Sequence, residues 1–181
     1  MLKEIKEFLK EMVSIVIIAF IIAMLLRTFI IEGRIIPTGS MLETIQLQDR
    51  VMVSKFIYKF KSPQRGEIVV LEPPEALHTD LDYIKRIVAL PGESVEVKDH
   101  KVYIDGKALV EPYLKEEIDY EYGPVVVPDN SLLVLGDNRN NSFDSHKWDE
   151  WLTIDHIKGK AFMVYWPLNR IHLLERGVMF E

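Results

Sequence analysis

One stretch of this chain limits its architecture before anything else is considered. From Met12 to Leu26, 15 residues run with only Ser14 not apolar, and Phe29, Ile30 and Ile31 follow just past Arg27. A bilayer core of ~30 Å takes about 20 helical residues. Met12–Ile31 reaches that length if Arg27 extends its charge to the far interface. A cleaved leader would end in a small-x-small site, whereas this run gives way to Arg-Thr-Phe-Ile-Ile-Glu. A core helix would carry one polar face, and this segment carries none. The segment therefore predicts a permanent, single-pass membrane anchor. Lys3, Lys6, Lys10 and the α-amine precede it, while Arg27 and Arg34 flank its other end. Basic residues collect on the cytoplasmic side. The expected layout is thus residues 1–31 as a short cytoplasmic N-terminus plus anchor, and 32–181 as a domain on the outer face of the cytoplasmic membrane.

Past Gly33 the pattern turns strand-like. Arg50–Ile57, Glu67–Leu71 and Tyr83–Leu90 are rich in Val and Ile. Ser94–Val97, Lys101–Ile104 and Lys107–Val110 alternate apolar and polar residues, and Asp105-Gly106 between the last two is a strong two-residue hairpin signal. Val125–Val127, Leu132–Leu135 and Lys160–Trp166 read as further strands, with loops over Glu72–Asp80 and Glu111–Pro124. Short strands broken by Pro, Gly and Asp predict a mainly β fold: an antiparallel sheet domain behind one N-terminal transmembrane helix.

Composition removes several chemistries. The 181 residues include no cysteine, which excludes disulfides, thiolate metal sites and a cysteine nucleophile. The net charge of −6 argues against a nucleic-acid partner. No His-Glu-x-x-His or paired-His motif marks a catalytic metal, so neither metal nor cofactor is expected.

Three segments carry chemistry. Ile36-Pro37-Thr38-Gly39-Ser40-Met41 can present a serine on a turn at a sheet edge. In Tyr83-Ile84-Lys85-Arg86-Ile87, strand alternation sets Lys85 between Tyr83 and Ile87. Burial there would lower its pKa and free its amine to act as a base. The polar loop Gly136-Asp137-Asn138-Arg139-Asn140-Asn141-Ser142-Phe143-Asp144-Ser145-His146 follows an apolar strand and can brace a site through charge-assisted hydrogen bonds. Taken singly, each also suits an ordinary turn or a lysine that reaches water.

Taken together, in this order and spacing, they resemble the type I signal peptidases, membrane-anchored serine proteases that remove signal peptides. The resemblance runs from the anchor to Tyr165-Trp166-Pro167. It implies Ser40 as nucleophile, Lys85 as general base, and Ser142 as a serine that orients the lysine. It implies the Ser40 N–H and the Thr38 hydroxyl as oxyanion donors, and Arg139 with Asp144 as a bracing ion pair. Ile36, Ile45 and Ile84 match positions lining shallow pockets for small precursor side chains, and Met41, which matches the residue after the nucleophile, is expected with them in the substrate-binding site. The implied partners are precursors bearing signal peptides and the lipid bilayer. Trp148, Trp151, Trp166 and Phe180 could dip the domain into the interface.

Two residues depart from the family pattern. Glu43 stands where proline is usual, which could put a carboxylate near the substrate groove, and Asp149 replaces the glycine after Trp148. The ending Trp-Pro-Leu-Asn-Arg and His146 are similar to the branch that includes thylakoid processing peptidases. Other readings are a different Ser–Lys processing protease or a non-enzymatic, membrane-anchored β adaptor.

Overall fold

The structure, a computed structural model, describes the backbone of residues 2–180 and the side chains within it other than those of residues 2 and 25–29. In chain order the elements are helix α1 (Leu2–Phe29), then strands β1 (Ile31–Ile35), β2 (Arg50–Ser54), β3 (Ile68–Leu71), β4 (Tyr83–Ala89), β5 (Ser94–Lys98), β6 (Lys101–Ile104) and β7 (Lys107–Val110). They continue as β8 (Tyr122–Val126), β9 (Ser131–Leu135), β10 (Leu152–Thr153), β11 (Ile157–Trp166), β12 (His172–Leu173) and β13 (Met179–Phe180). All pairings are antiparallel. The mainly β, antiparallel reading of the sequence therefore holds. One sheet runs β1-β2-β11-β3-β4-β9-β10, with β12 on β11, and a second runs β13-β7-β6-β5-β8.

Between Met12 and Met24 the large apolar side chains of α1 all stand exposed. Among the described residues no helix is long and apolar enough to cross a membrane. The expected span Met12–Ile31 runs through residues 25–29, whose side chains lie outside those described. Its last residue, Ile31, already belongs to β1 and pairs with Ser54.

Strand alternation on β4 organises the interior. Ile84 joins Ile68 and Val70 in one apolar cluster, while Ile87 joins Val69, Leu71 and Trp148 in another. The far end of β4 contributes Val88 and Ala89 to a third cluster, which holds Val95, Val97 and Ile104 of the second sheet. Trp148 is thus a core residue, only 8% exposed, and it does not reach an interface. Trp166 and Phe180 are exposed, the latter under the Arg65 guanidinium at 5.2 Å. The Asp105-Gly106 turn forms as read. Both residues have positive φ, 50° and 76°, the conformation a two-residue hairpin needs, and Ile104 pairs with Lys107 across it. The strand at residue 125 starts earlier than its Val run, at Tyr122, so Gly123-Pro124 lies within β8. That strand is an edge, where a missing proline N–H costs no ladder bond.

Candidate active site

The nucleophile candidate sits in the excursion between β1 and β2. The neck of that excursion is closed by Ile36 N–H to Asp49 O at 2.9 Å and Gln48 N–H to Ile36 O at 2.8 Å. Met41 and Ile45 are fully buried in the cluster beneath it and hold it down. Asn138 then clamps the turn from the other side. Its N–H donates to Ser40 O at 3.0 Å and its side-chain amide to Gly39 O at 3.0 Å. With its backbone fixed at both faces, Ser40 is 8% exposed.

Lys85 comes from β4, opposite Val69. Its Nζ lies 2.8 Å from Ser40 Oγ, and Tyr83 presents its ring 5.5 Å away. Lys85 is 4% exposed. Burial pushes its amine down to about 8 from an ordinary 10.5, against the opposing charges of Asp144 and Asp137. Both carboxylates are occupied by other partners. Asp137 takes a two-pronged ion pair from Arg86 (2.8 and 2.7 Å) and a hydrogen bond from Thr44 (2.5 Å). Asp144 takes His146 Nδ1 at 2.5 Å and the Gly136 N–H at 2.8 Å. Burial would raise the Asp144 carboxyl, but these bonds and the nearby Ser142 hydroxyl outweigh it and hold it below the usual range.

The bracing of the polar loop differs from the expectation. Arg139 and Asp144 do not pair with each other. Arg139 is buried against Glu111, with nitrogen–oxygen distances of 3.0 and 2.6 Å, and its Nε donates to Gly136 O at 3.1 Å. Asp144 is held by His146, whose ring stacks on Tyr120 at 4.1 Å. Each charge needed a buried partner; the Arg139–Glu111 pair ties the loop to the segment after β7, while the Asp144–His146 pair closes within the loop, which reaches outside itself there through the Tyr120 stack. Ser142 is 3% exposed, and its Oγ meets no partner in hydrogen-bond geometry; Lys85 Nζ is directed at Ser40.

Gly136 explains how closely these groups approach. A Cβ there would stand 2.3 Å from Ser142 Oγ and 2.4 Å from Ser40 O. No side chain larger than hydrogen fits between the two serines. Gly136, Asn138, Arg86, Asp137 and Glu111 are site-building residues to which the sequence reading assigned no role. The first four lie within the motifs already noted, where only the loop as a whole is read as bracing. Glu111 lies 28 residues from Arg139 in a segment read as loop, and no local pattern signals it.

Ser40 and Lys85 open onto a cleft of about 710 Å³. One wall is the run 34–40, the other 81–85, and Asn138, Asn141 and Phe143 close a third side. Ile36, Ile84 and the exposed Thr38 line it. Met41 and Ile45 do not, contrary to expectation. Both are 0% exposed, because the turn after Ser40 directs them into the core as its anchors. Glu43 also faces away from this cleft, paired with Lys115 at 2.9 Å. Among the described residues no cluster of potential metal ligands occurs.

A serine hydroxyl lies against a buried lysine amine at an apolar cleft on an antiparallel sheet, an arrangement with the chemistry a serine hydrolase needs, a hydroxyl nucleophile beside a proton acceptor. A family model described as signal peptidase, peptidase S26, matches residues 9–166. Over 167 residues the chain is 46% identical to probable signal peptidase I-2 of Synechocystis sp., covering 91% of this chain and 76% of that protein. It is 44% identical to signal peptidase I of Leptolyngbya laminosa over 168 residues, 90% of this chain and 82% of that one. With probable thylakoidal processing peptidase 2 of Arabidopsis thaliana the identity is 40% over 158 residues, 84% of this chain and 43% of that one. The chain belongs to the signal peptidase family, peptidase S26.

Proposed function

We propose that this chain is a membrane-bound serine endopeptidase that cleaves signal peptides from exported precursors, with Ser40 as nucleophile and Lys85 as general base. The observation that carries the reading is the 2.8 Å contact between Lys85 Nζ and Ser40 Oγ in a site that pushes the amine down to about 8. At an ordinary 10.5, roughly one lysine in three thousand would be neutral at pH 7; at about 8, roughly one in ten is. Neutral Nζ takes the Ser40 proton as Oγ bonds to the scissile carbonyl carbon. The oxyanion accepts hydrogen bonds from the Ser40 N–H and the Thr38 hydroxyl, each such donor being worth ~3 kcal/mol. Lys85 ammonium then protonates the leaving nitrogen as the C–N bond breaks. Water attacks the resulting ester, Lys85 takes its proton, and Ser40 leaves with that proton restored.

Ser142, which borders Gly136 beside Ser40, limits the positions open to the lysine amine, and Arg139 and Asp144 hold the loop that carries it. Ile36 and Ile84 supply the apolar lining that accepts small side chains on the acyl side of the bond.

The exposed apolar surface of α1 supports a membrane anchor. Ten large apolar side chains between Met12 and Met24 stand free of the sheet domain, and exposure of that extent is stable only against lipid or another apolar surface. With the N-terminus in the cytoplasm, the domain from residue 32 onward works on the outer face of the membrane, where a precursor's own apolar segment emerges. The test is cleavage of a signal-peptide-bearing precursor by the full chain in detergent or vesicles, beside Ser40→Ala and Lys85→Met. Cleavage after a small-x-small site that both substitutions abolish without unfolding supports the dyad. Retained activity in Lys85→Met overturns it.

A further inference from the structure

On the opposite side of the Asn138–Asn141 loop from the main cleft lies a second, smaller cavity of about 140 Å³. The two share Asn138 and Asn141 as lining residues and so adjoin along that loop, and Leu42 and Glu43 of the second follow Ser40 of the first by two and three residues. Their chemistry differs. The main cleft is lined chiefly by apolar groups such as Ile36, Val70 and Ile84, whereas the second is bounded by Leu42, Glu43, Lys115 and Glu116. The second cavity is also preformed. Asn140 ties its far wall to the loop, its amide donating to Glu117 O at 2.9 Å and its carbonyl accepting the Asp119 N–H at 3.0 Å.

A hydrolase that forms an acyl-enzyme holds two halves of its substrate in different places. If the apolar cleft holds the acyl half, the leaving half must lie beyond the nucleophile, and the cavity that adjoins the cleft past Ser40, against Leu42 and Glu43, is the candidate place for it. Its charges are unequal. Asp137 and Arg139 at its base are already neutralised by Arg86 and Glu111. What remains on the rim is Glu43 and Glu116 against the single Lys115, with Glu43 and Lys115 half or more exposed in their side chains. A cationic side chain can replace Lys115 as the partner of Glu43, whereas an anionic one meets two carboxylates.

Resting on the peptidase reading above, we propose that this cavity is the subsite for the first residues beyond the scissile bond, and that Glu43 makes it prefer basic over acidic side chains there. The test uses the full chain in detergent at low ionic strength. Its substrates are precursor peptides that carry Lys or Glu at each of the first three positions after the cut, varied one position at a time. The readout is the Lys/Glu ratio of kcat/KM within each protein, so a general loss of activity cancels. The wild type is expected to favour Lys about threefold at one of these positions, the size an exposed charge pair reaches. That preference should fade in 1 M salt. Glu43→Lys should invert the ratio and Lys115→Glu should steepen it. A ratio unchanged across all three proteins, with cleavage intact, overturns the subsite and leaves the peptidase reading standing. Failure of the wild type to cut any precursor overturns the peptidase reading itself, and the subsite with it.

Discussion

Lys85 and Ser40 lie 45 residues apart in the chain, yet the lysine amine is 2.8 Å from the serine hydroxyl and both are nearly shut off from water. The contact joins a central strand to a loop near the sheet's opposite edge. It exists because Met41 and Ile45 pin the loop from below and Asn138 holds it from the side.

The pH dependence of cleavage follows from which form of Lys85 reacts. The neutral amine is the base, so kcat/KM should rise with pH along a limb with an apparent pKa of about 8. Asp144 opposes the downward shift, so Asp144→Asn should move that limb to lower pH even where the loop's disturbance lowers the maximum. A limb near 10 in the wild type, or a shift to higher pH in the variant, contradicts the assignment.

The same burial costs stability, and the sign can be worked out. Below pH 8 both folded and unfolded chains hold the Lys85 proton, and the fold bears the full cost of a buried charge. Between about 8 and 10.5 the folded state releases it first, so stability rises with pH and the cost vanishes above 10.5. The cost is of order 3 kcal/mol. Lys85→Met should therefore melt higher than the wild type at pH 7, with the gap closing toward pH 10.5 in paired thermal scans.

Gly136→Ala tests the close approach of the two serines. The new methyl group would overlap Ser142 Oγ and Ser40 O, one of which must retreat. A displacement of about 1 Å at a reacting group can lower turnover ~100-fold. The expected result is a fall in kcat of that order with a precursor KM changed far less. An active Gly136→Ala enzyme would mean that the loop yields without moving Ser40.

The Arg86–Asp137 pair should behave as a structural unit. The Arg86 and Asp137 side chains are 1% and 0% exposed, and Arg86 also donates to the carbonyls of Gly66, Glu175 and Arg176. Removing one partner leaves a buried charge alone, at ~3–5 kcal/mol. Arg86→Met and Asp137→Ala should each lower the denaturant midpoint strongly, and the double variant by less than the sum. Simple additivity would show the pair to be uncoupled.

Much of this protein was legible in the order of its residues, wherever the cause was local. The Asp105-Gly106 hairpin forms as read because its two residues tolerate positive φ. The core strands β3, β4, β6, β7 and β9 fall within a residue of their Val-, Ile- and Leu-rich runs. The marginal strands β1, β10, β12 and β13 were not legible. Each is held by a neighbour's ladder; β10, β12 and β13 carry two residues each, too few for a pattern of their own, and β1 begins at Ile31, which the anchor reading claims.

The site divides in the same way. Ser40, Lys85 and Ser142 could be picked out only through the resemblance of their motifs, taken together, to a known family, whereas strand period alone predicted that Ile84 and Ile87 would pack on opposite sides of β4. The sequence by itself thus determined the antiparallel β class and the residues available for chemistry. Only the tertiary structure decided that Met41 and Ile45 are anchors beneath the cleft, that Arg139 pairs with Glu111 while Asp144 pairs with His146, and that Gly136 separates two serines. The reason is physical. A buried charge takes whichever partner folding brings within reach: Glu111 comes to Arg139 from 28 residues away, and the loop's own path turns His146 onto Asp144, and neither choice is written in spacing along the chain.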